Sequence, residues 1–132
     1  MTSNLLKVQE ELRNRAGDRV GRDIFMYSIS LKPEHDTPRV LKHYERINNI
    51  KPGWTLLTGK PDEIELLRRS LGFTNPDPKL DQDKSQHIGN IRYGNEPLML
   101  WAACPGLAHP EWIAESISWV VRNEKARNEK GG

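Results

Sequence analysis

The chain has 132 residues, enough for one domain with a single core and too few for two. Hydrophobic residues make up 36% and charged residues 29%, a soluble globular balance, and no apolar run approaches the roughly 18 residues a membrane span needs. The 20 basic and 18 acidic residues are interleaved to a net charge of +2, which leaves no electrostatic footprint for nucleic acid, and a single cysteine excludes an internal disulfide and any Cys-Cys metal motif.

In chain order, Met1-Thr2-Ser3-Asn4 leads into a charged amphipathic segment with no signal-peptide pattern. Leu5, Val8 and Leu12 recur at helical spacing from Asn4 to Arg15, with Leu6 flanking, Ser3 as a cap and Gly17 as a stop. Ile24 to Leu31 is rich in β-branched and aromatic residues and apolar on both faces at its start. That composition predicts a strand covered on both sides, as in a parallel α/β sheet. Lys32 to Pro38 forms a turn, and Asp36 or Thr37 caps the next helix, with Pro38 in its first turn. Arg39 to Asn48 is expected to bury Val40, Tyr44 and Ile47. Trp54 to Leu57 is a short strand, and Pro61 to Leu71 a helix with Ile64, Leu67 and Leu71 inward, stopped by Gly72.

Asn75 to Lys84 has two prolines and no periodicity, and reads as a polar loop. Ile91 and Tyr93 then alternate with Asn90 and Arg92, as in a half-buried strand. Gly94-Asn95 carries the signal of a two-residue hairpin turn, and Leu98 to Trp101 supplies the returning strand. Cys104-Pro105-Gly106 is expected to turn, and Pro110 to Val121 to form a last helix with Ile113, Ile117 and Val120 or Val121 inward. The tail 122–132 is charged and nearly repeats itself, as a solvated helical extension would.

His87 sits at the mouth of the hairpin, where a rigid element would hold a loop side chain. On the residues alone, a lone histidine there reads more readily as a surface group than as a ligand. His35, His43 and His109 form no spaced metal pair and default to helix-end and surface roles. Cys104 lacks a resolving partner and a basic neighbourhood, so it reads as a small buried side chain. Met26 and Met99 read as core, and Trp54, Trp101, Trp112 and Trp119 as packing or interface residues.

The order helix, strand, helix, strand, helix, strand, strand, helix matches the back end of a thioredoxin-like fold, a three-layer α/β/α architecture. Asp18 to Asp23, Ser28-Ile29-Ser30-Leu31-Lys32-Pro33-Glu34-His35-Asp36-Thr37-Pro38, Trp54 to Gly59, Lys84-Ser85-Gln86-His87 and Arg92 to Pro97 closely resemble the SCO/SenC family. The resemblance runs from the first helix to Val121, which makes 1–121 the domain and 122–132 its tail. It implies a thioredoxin-like copper-binding protein of the cell envelope or mitochondrial inner membrane. Such a protein assists assembly of the copper site of cytochrome c oxidase by delivering copper, by thiol–disulfide exchange, or both. Its partner would be an oxidase subunit or another assembly factor.

The family's metal site joins a Cys-x-x-x-Cys-Pro segment to a distant histidine, and only the histidine carries over, onto His87. Two thiolates suit Cu(I), and an imidazole adds a borderline ligand, so the site is incomplete as written. Lys32 also departs from the family, which usually has an acidic residue there. In the thioredoxin fold, the strand entering the cysteine motif lies between those that Ile24–Leu31 and His87–Tyr93 resemble. Without it, two apolar edges would face a gap with unpaired backbone groups. Either those strands pair directly, or the natural protein is longer at its N-terminus; the second is the expectation, with Met1 an internal methionine. A thiol-disulfide enzyme would need the missing cysteine pair. The competing reading is a degenerate family member that binds a protein partner without copper or redox activity.

Overall fold

The computed structural model describes residues 1–82 and 89–131, with side chains through residue 120. The chain divides into two compact units, Met1–Gly17 with Gly89–Gly132, and Asp18–Ile88. Among the described residues the strands form two separate two-stranded sheets.

In the first unit, helix α1 (Thr2–Ala16) packs on helix α5 (Pro110–Gly131), and α5 also covers strand β3 (Asn90–Asn95). The predicted spacing of α1 places Val8 and Leu12 in the core, and Gly17 ends the helix at a φ of 59° that costs a glycine little. Leu12 and Ile113 are fully enclosed, each contributing about 1.5–3 kcal/mol by burial. Arg15 of α1 pairs with Glu115 of α5 at the surface.

Strand β3 alternates as predicted, Ile91 and Tyr93 being half-buried and Asn90 and Arg92 exposed. The turn lies elsewhere. Gly94 and Asn95 stay in the antiparallel ladder, opposite Trp101 and Leu100 of strand β4 (Leu100–Pro105). The chain reverses through a 3-10 turn at Glu96–Leu98, with Met99 in the left-handed region at φ 53°. Gly94 serves a close approach instead, because the Trp101 indole lies across it and a Cβ there would fall 2.5 Å from the ring. Cys104 and Pro105, expected in a turn, belong to β4. Met99, expected in the core, is 85% exposed.

In the second unit, strand β1 (Met26–Ile29) pairs in parallel with strand β2 (Trp54–Leu57), and the Trp54 indole donates to Ser28 Oγ at 3.0 Å. Helix α2 (Pro38–Ile47) starts as predicted, with Thr37 Oγ1 accepting from the Val40 amide and Pro38 in the first turn. Its apolar stripe is not buried: Val40, Tyr44 and Ile47 are 45%, 41% and 67% exposed. Helix α2 packs on β2, but the two-stranded sheet beneath it is too narrow to cover a full helical face. The expectation of a strand covered on both faces fails for the same reason, since Phe25 and Tyr27 are exposed. Helix α3 (Pro61–Ser70) buries Ile64 as predicted. Arg68 is buried, while Leu67, expected inward, is exposed. The stretch expected to be a plain loop contains helix α4 (Pro78–Gln82).

Candidate functional site

His87, the one metal ligand expected from sequence, lies outside the described residues. What surrounds the strand it leads into is well defined. The Gly89 carbonyl accepts the Gly106 amide at 2.6 Å. The Gly106 carbonyl in turn accepts Asn4 Nδ2 at 2.8 Å, and the same nitrogen donates to the Ala108 carbonyl at 2.9 Å. The Met1 thioether chain rests against Gly89 and Gly106, where a Cβ on either residue would meet it. The junction therefore ties three segments together: the start of α1, the entry to β3 and the turn from β4 into α5. It holds the amino end of a helix, the end at which its dipole favours anionic groups, next to a residue two positions beyond His87.

Cys104 is 3% exposed and faces the interior opposite Ile91, and burial pushes its thiol pKa up, away from the thiolate a soft metal needs. His35 lies in the turn after β1, His43 on the exposed α2, and His109 just before α5. Among the described residues no three His, Cys, Asp or Glu side chains form a group able to hold a metal ion. These residues do not by themselves fit a copper centre.

The Ser30–Pro38 segment builds its own turn. Ser30 Oγ donates to Asp36 Oδ2 at 2.6 Å and accepts the Lys32 amide at 3.0 Å, while the Lys32 carbonyl accepts the amides of His35 and Asp36. Asp36 is thereby committed to the turn and Thr37 to the helix cap. The Lys32 side chain plays no part in these bonds, so a change of charge at that position leaves the turn intact.

Sequence reasoning missed Arg68. Its side chain is 6% exposed, and all five guanidinium N–H groups are engaged: with both carboxylate oxygens of Glu65, both of Asp81, and the Phe73 carbonyl. Hydrogen bonds from Arg68, then Arg69, pull the Glu65 carboxyl from 4.5 to about 2. Asp81 is held well below the usual carboxylate range, first by Arg68 and then by the Asn75 amide, and its hydrogen bonds in turn raise Arg68. A cavity beside this cluster is lined by Leu31, Pro33, Pro61 and Ile64. With no donor to spare, Arg68 is a structural hub joining α3 to α4, not an anion receptor. The sequence signal for it was faint: an arginine on the inward side of α3, with Glu65 three residues before it and Asp81 in a loop without periodicity.

The described elements make a mixed α/β protein, and the family that the sequence matches is thioredoxin-like. The chain belongs to the SCO1/SenC family, whose sequence model matches residues 1–122. Membership places it among proteins with copper-chaperone or thiol-related roles in oxidase assembly. Comparisons with curated proteins and with solved structures found no match to this chain. Among the described residues no helix is long and apolar enough to cross a membrane.

Proposed function

We propose that this chain assists assembly of the copper site of cytochrome c oxidase as a SCO1/SenC domain spanning residues 1–121, with 122–132 as a charged extension. In this reading His87 is its metal ligand. The observation that supports it is the Asn4–Gly106–Gly89 junction, which draws the start of α1 toward the strand that follows His87. The family match over the same residues gives that junction its meaning. An imidazole binds Cu(II) readily and Cu(I) less firmly without thiolates, so binding by these residues is weak and the remaining donors come from elsewhere. The partner is an oxidase subunit or another assembly factor.

A second reading rests on Cys104. A buried neutral thiol is poised for neither metal binding nor exchange, which favours a partner-binding protein without copper or redox activity. Titration with Cu(II) and Cu(I) against a competing chelator separates the two readings when run on the chain and on His87→Ala. The first reading expects measurable Cu(II) binding that His87→Ala abolishes. Binding that is absent or indifferent to His87 overturns it. Association of the copper-free chain with the soluble copper domain of the oxidase subunit, unchanged in His87→Ala, would establish the second.

A further inference from the structure

Helix α2 gathers cations on one side. Arg39, Lys42, His43 and Arg46 stand at the i, i+3, i+4 and i+7 spacing of a single helical face, and all four are exposed. The row covers two turns, about 10 Å. Leu41, about 160° of helical rotation from Arg39, is half-buried on the side packed against β2. The cations therefore point away from the sheet, and a sheet of any width would leave them outside.

Elsewhere in the chain Arg15, Arg19, Arg22, Arg68 and Arg69 have carboxylate partners. Among the described residues no carboxylate pairs with the cations of α2, and Glu45 is the only acid of that helix. The helix itself does not benefit from the arrangement. Arg39 occupies its first turn, where the dipole disfavours a cation and no acidic residue offsets it. Lys42 follows Arg39 by three positions and precedes Arg46 by four, so like charges face one another along the row. An anionic partner would relieve both strains.

We infer that this outward face of α2 docks an acidic segment of a partner protein, with carboxylates spaced to meet Arg39, Lys42 and Arg46. Two of these three cations are arginines, whose planar fork matches a carboxylate bidentately, and His43 adds an N–H donor among them. A lipid surface fits less well, because polybasic membrane segments carry about four to eight Lys or Arg. Duplex DNA fits less well too, since its binders neutralise a longer run of phosphates. Such docking needs no copper chemistry and holds under either reading of the chain's function.

Fluorescence anisotropy with a labelled helical peptide carrying Glu at i, i+3, i+4 and i+7 tests it. The peptide should bind the chain, and more weakly as salt rises. Arg39→Glu combined with Arg46→Glu should weaken binding more than about tenfold, and a peptide with Lys in place of Glu should bind that variant instead. Lys7→Glu, on the exposed side of α1, should leave binding unchanged. In NMR spectra the amides shifted by the peptide should fall on α2. A chain that ignores the peptide overturns the inference, as does equal binding after the charge reversal or a set of shifts elsewhere. Tighter binding of phosphatidylserine-containing vesicles or duplex DNA at the α2 face would also overturn it. Should the reversed variant fail to fold by circular dichroism, the shifts in the unaltered chain decide.

Discussion

Asn4 Nδ2 lies 2.8 Å from the Gly106 carbonyl, reaching from the first turn of one helix to the turn that leads into another. The second bond from that nitrogen, to Ala108, means that one short side chain satisfies two part-buried carbonyls. Asn4→Ala should cost about 1–2 kcal/mol in urea unfolding, since both acceptors lose their donor. Asn4→Asp should cost more above pH ~5, because a carboxylate has no proton to give two carbonyls. The Gly106 amide, bonded to Gly89, should exchange faster in both variants. Unfolding midpoints equal to the parent's would show that α1 is held by its packing on α5 alone.

Arg68 carries a pH signature. Glu65 and Asp81 both have pKa values depressed in the folded state, so they bind fewer protons there than in the unfolded chain. Their contribution is complete above the ordinary carboxylate range and is lost as pH falls: for Glu65 between 4.5 and about 2, for Asp81 further down. Glu65 is half in solvent, so its share is small and screened by salt. Arg68→Met should lower the melting temperature by several degrees at neutral pH and flatten the acid limb of the stability curve. A variant whose acid limb matches the parent's would place the titrating carboxylates elsewhere.

What the sequence made legible was local. The spacing of Val8 and Leu12, the Thr37-Pro38 cap and the Ile91/Tyr93 alternation each follow from backbone period or capping chemistry within a few residues, and each stands in the fold. The misses depend on what lies across from a residue. Gly94-Asn95 has the chemistry of a hairpin turn, but Gly94 is committed to a neighbour on the opposite strand. Val40, Tyr44 and Ile47 form a proper amphipathic stripe, yet burial also needs a sheet wide enough to receive it. Arg68 gave only a faint signal, because its second carboxylate is thirteen positions away in a stretch without pattern. His87 was singled out as a ligand only through family resemblance, and it lies outside the described residues. Asn4 gave no signal, since a polar residue in a first helical turn is ordinary.

Cys104 should be slow to react. Its thiol is enclosed and its pKa raised by burial, so the nucleophilic thiolate is scarce in the folded chain. Alkylation by iodoacetamide at neutral pH should run more than about tenfold slower than in the urea-unfolded chain. Cys104→Ala should fold, and Cys104→Ser should be the less stable of the two, because its hydroxyl enters an apolar site opposite Ile91. Copper titrations should be indifferent to either change. Rapid alkylation of the native chain would mean that β4 opens readily and that the thiol is within reach of exchange.

Gly94 is where a single added methyl should be felt most. A Cβ there would stand 2.5 Å from Trp101 Cδ2 and Cε3 and 2.6 Å from the Leu100 carbonyl. The indole can swing aside, at the loss of its 2.6 Å bond to Glu96, but the carbonyl belongs to the paired strand and cannot move without disturbing the ladder. Gly94→Ala should therefore cost about 1–3 kcal/mol. The Trp101 indole proton should shift in the NMR spectrum as its partner is lost. Adding Trp101→Leu should recover only part of the stability, because the backbone contact survives the smaller side chain. Full recovery in the double variant would assign the whole penalty to the indole and leave the Leu100 carbonyl free to yield.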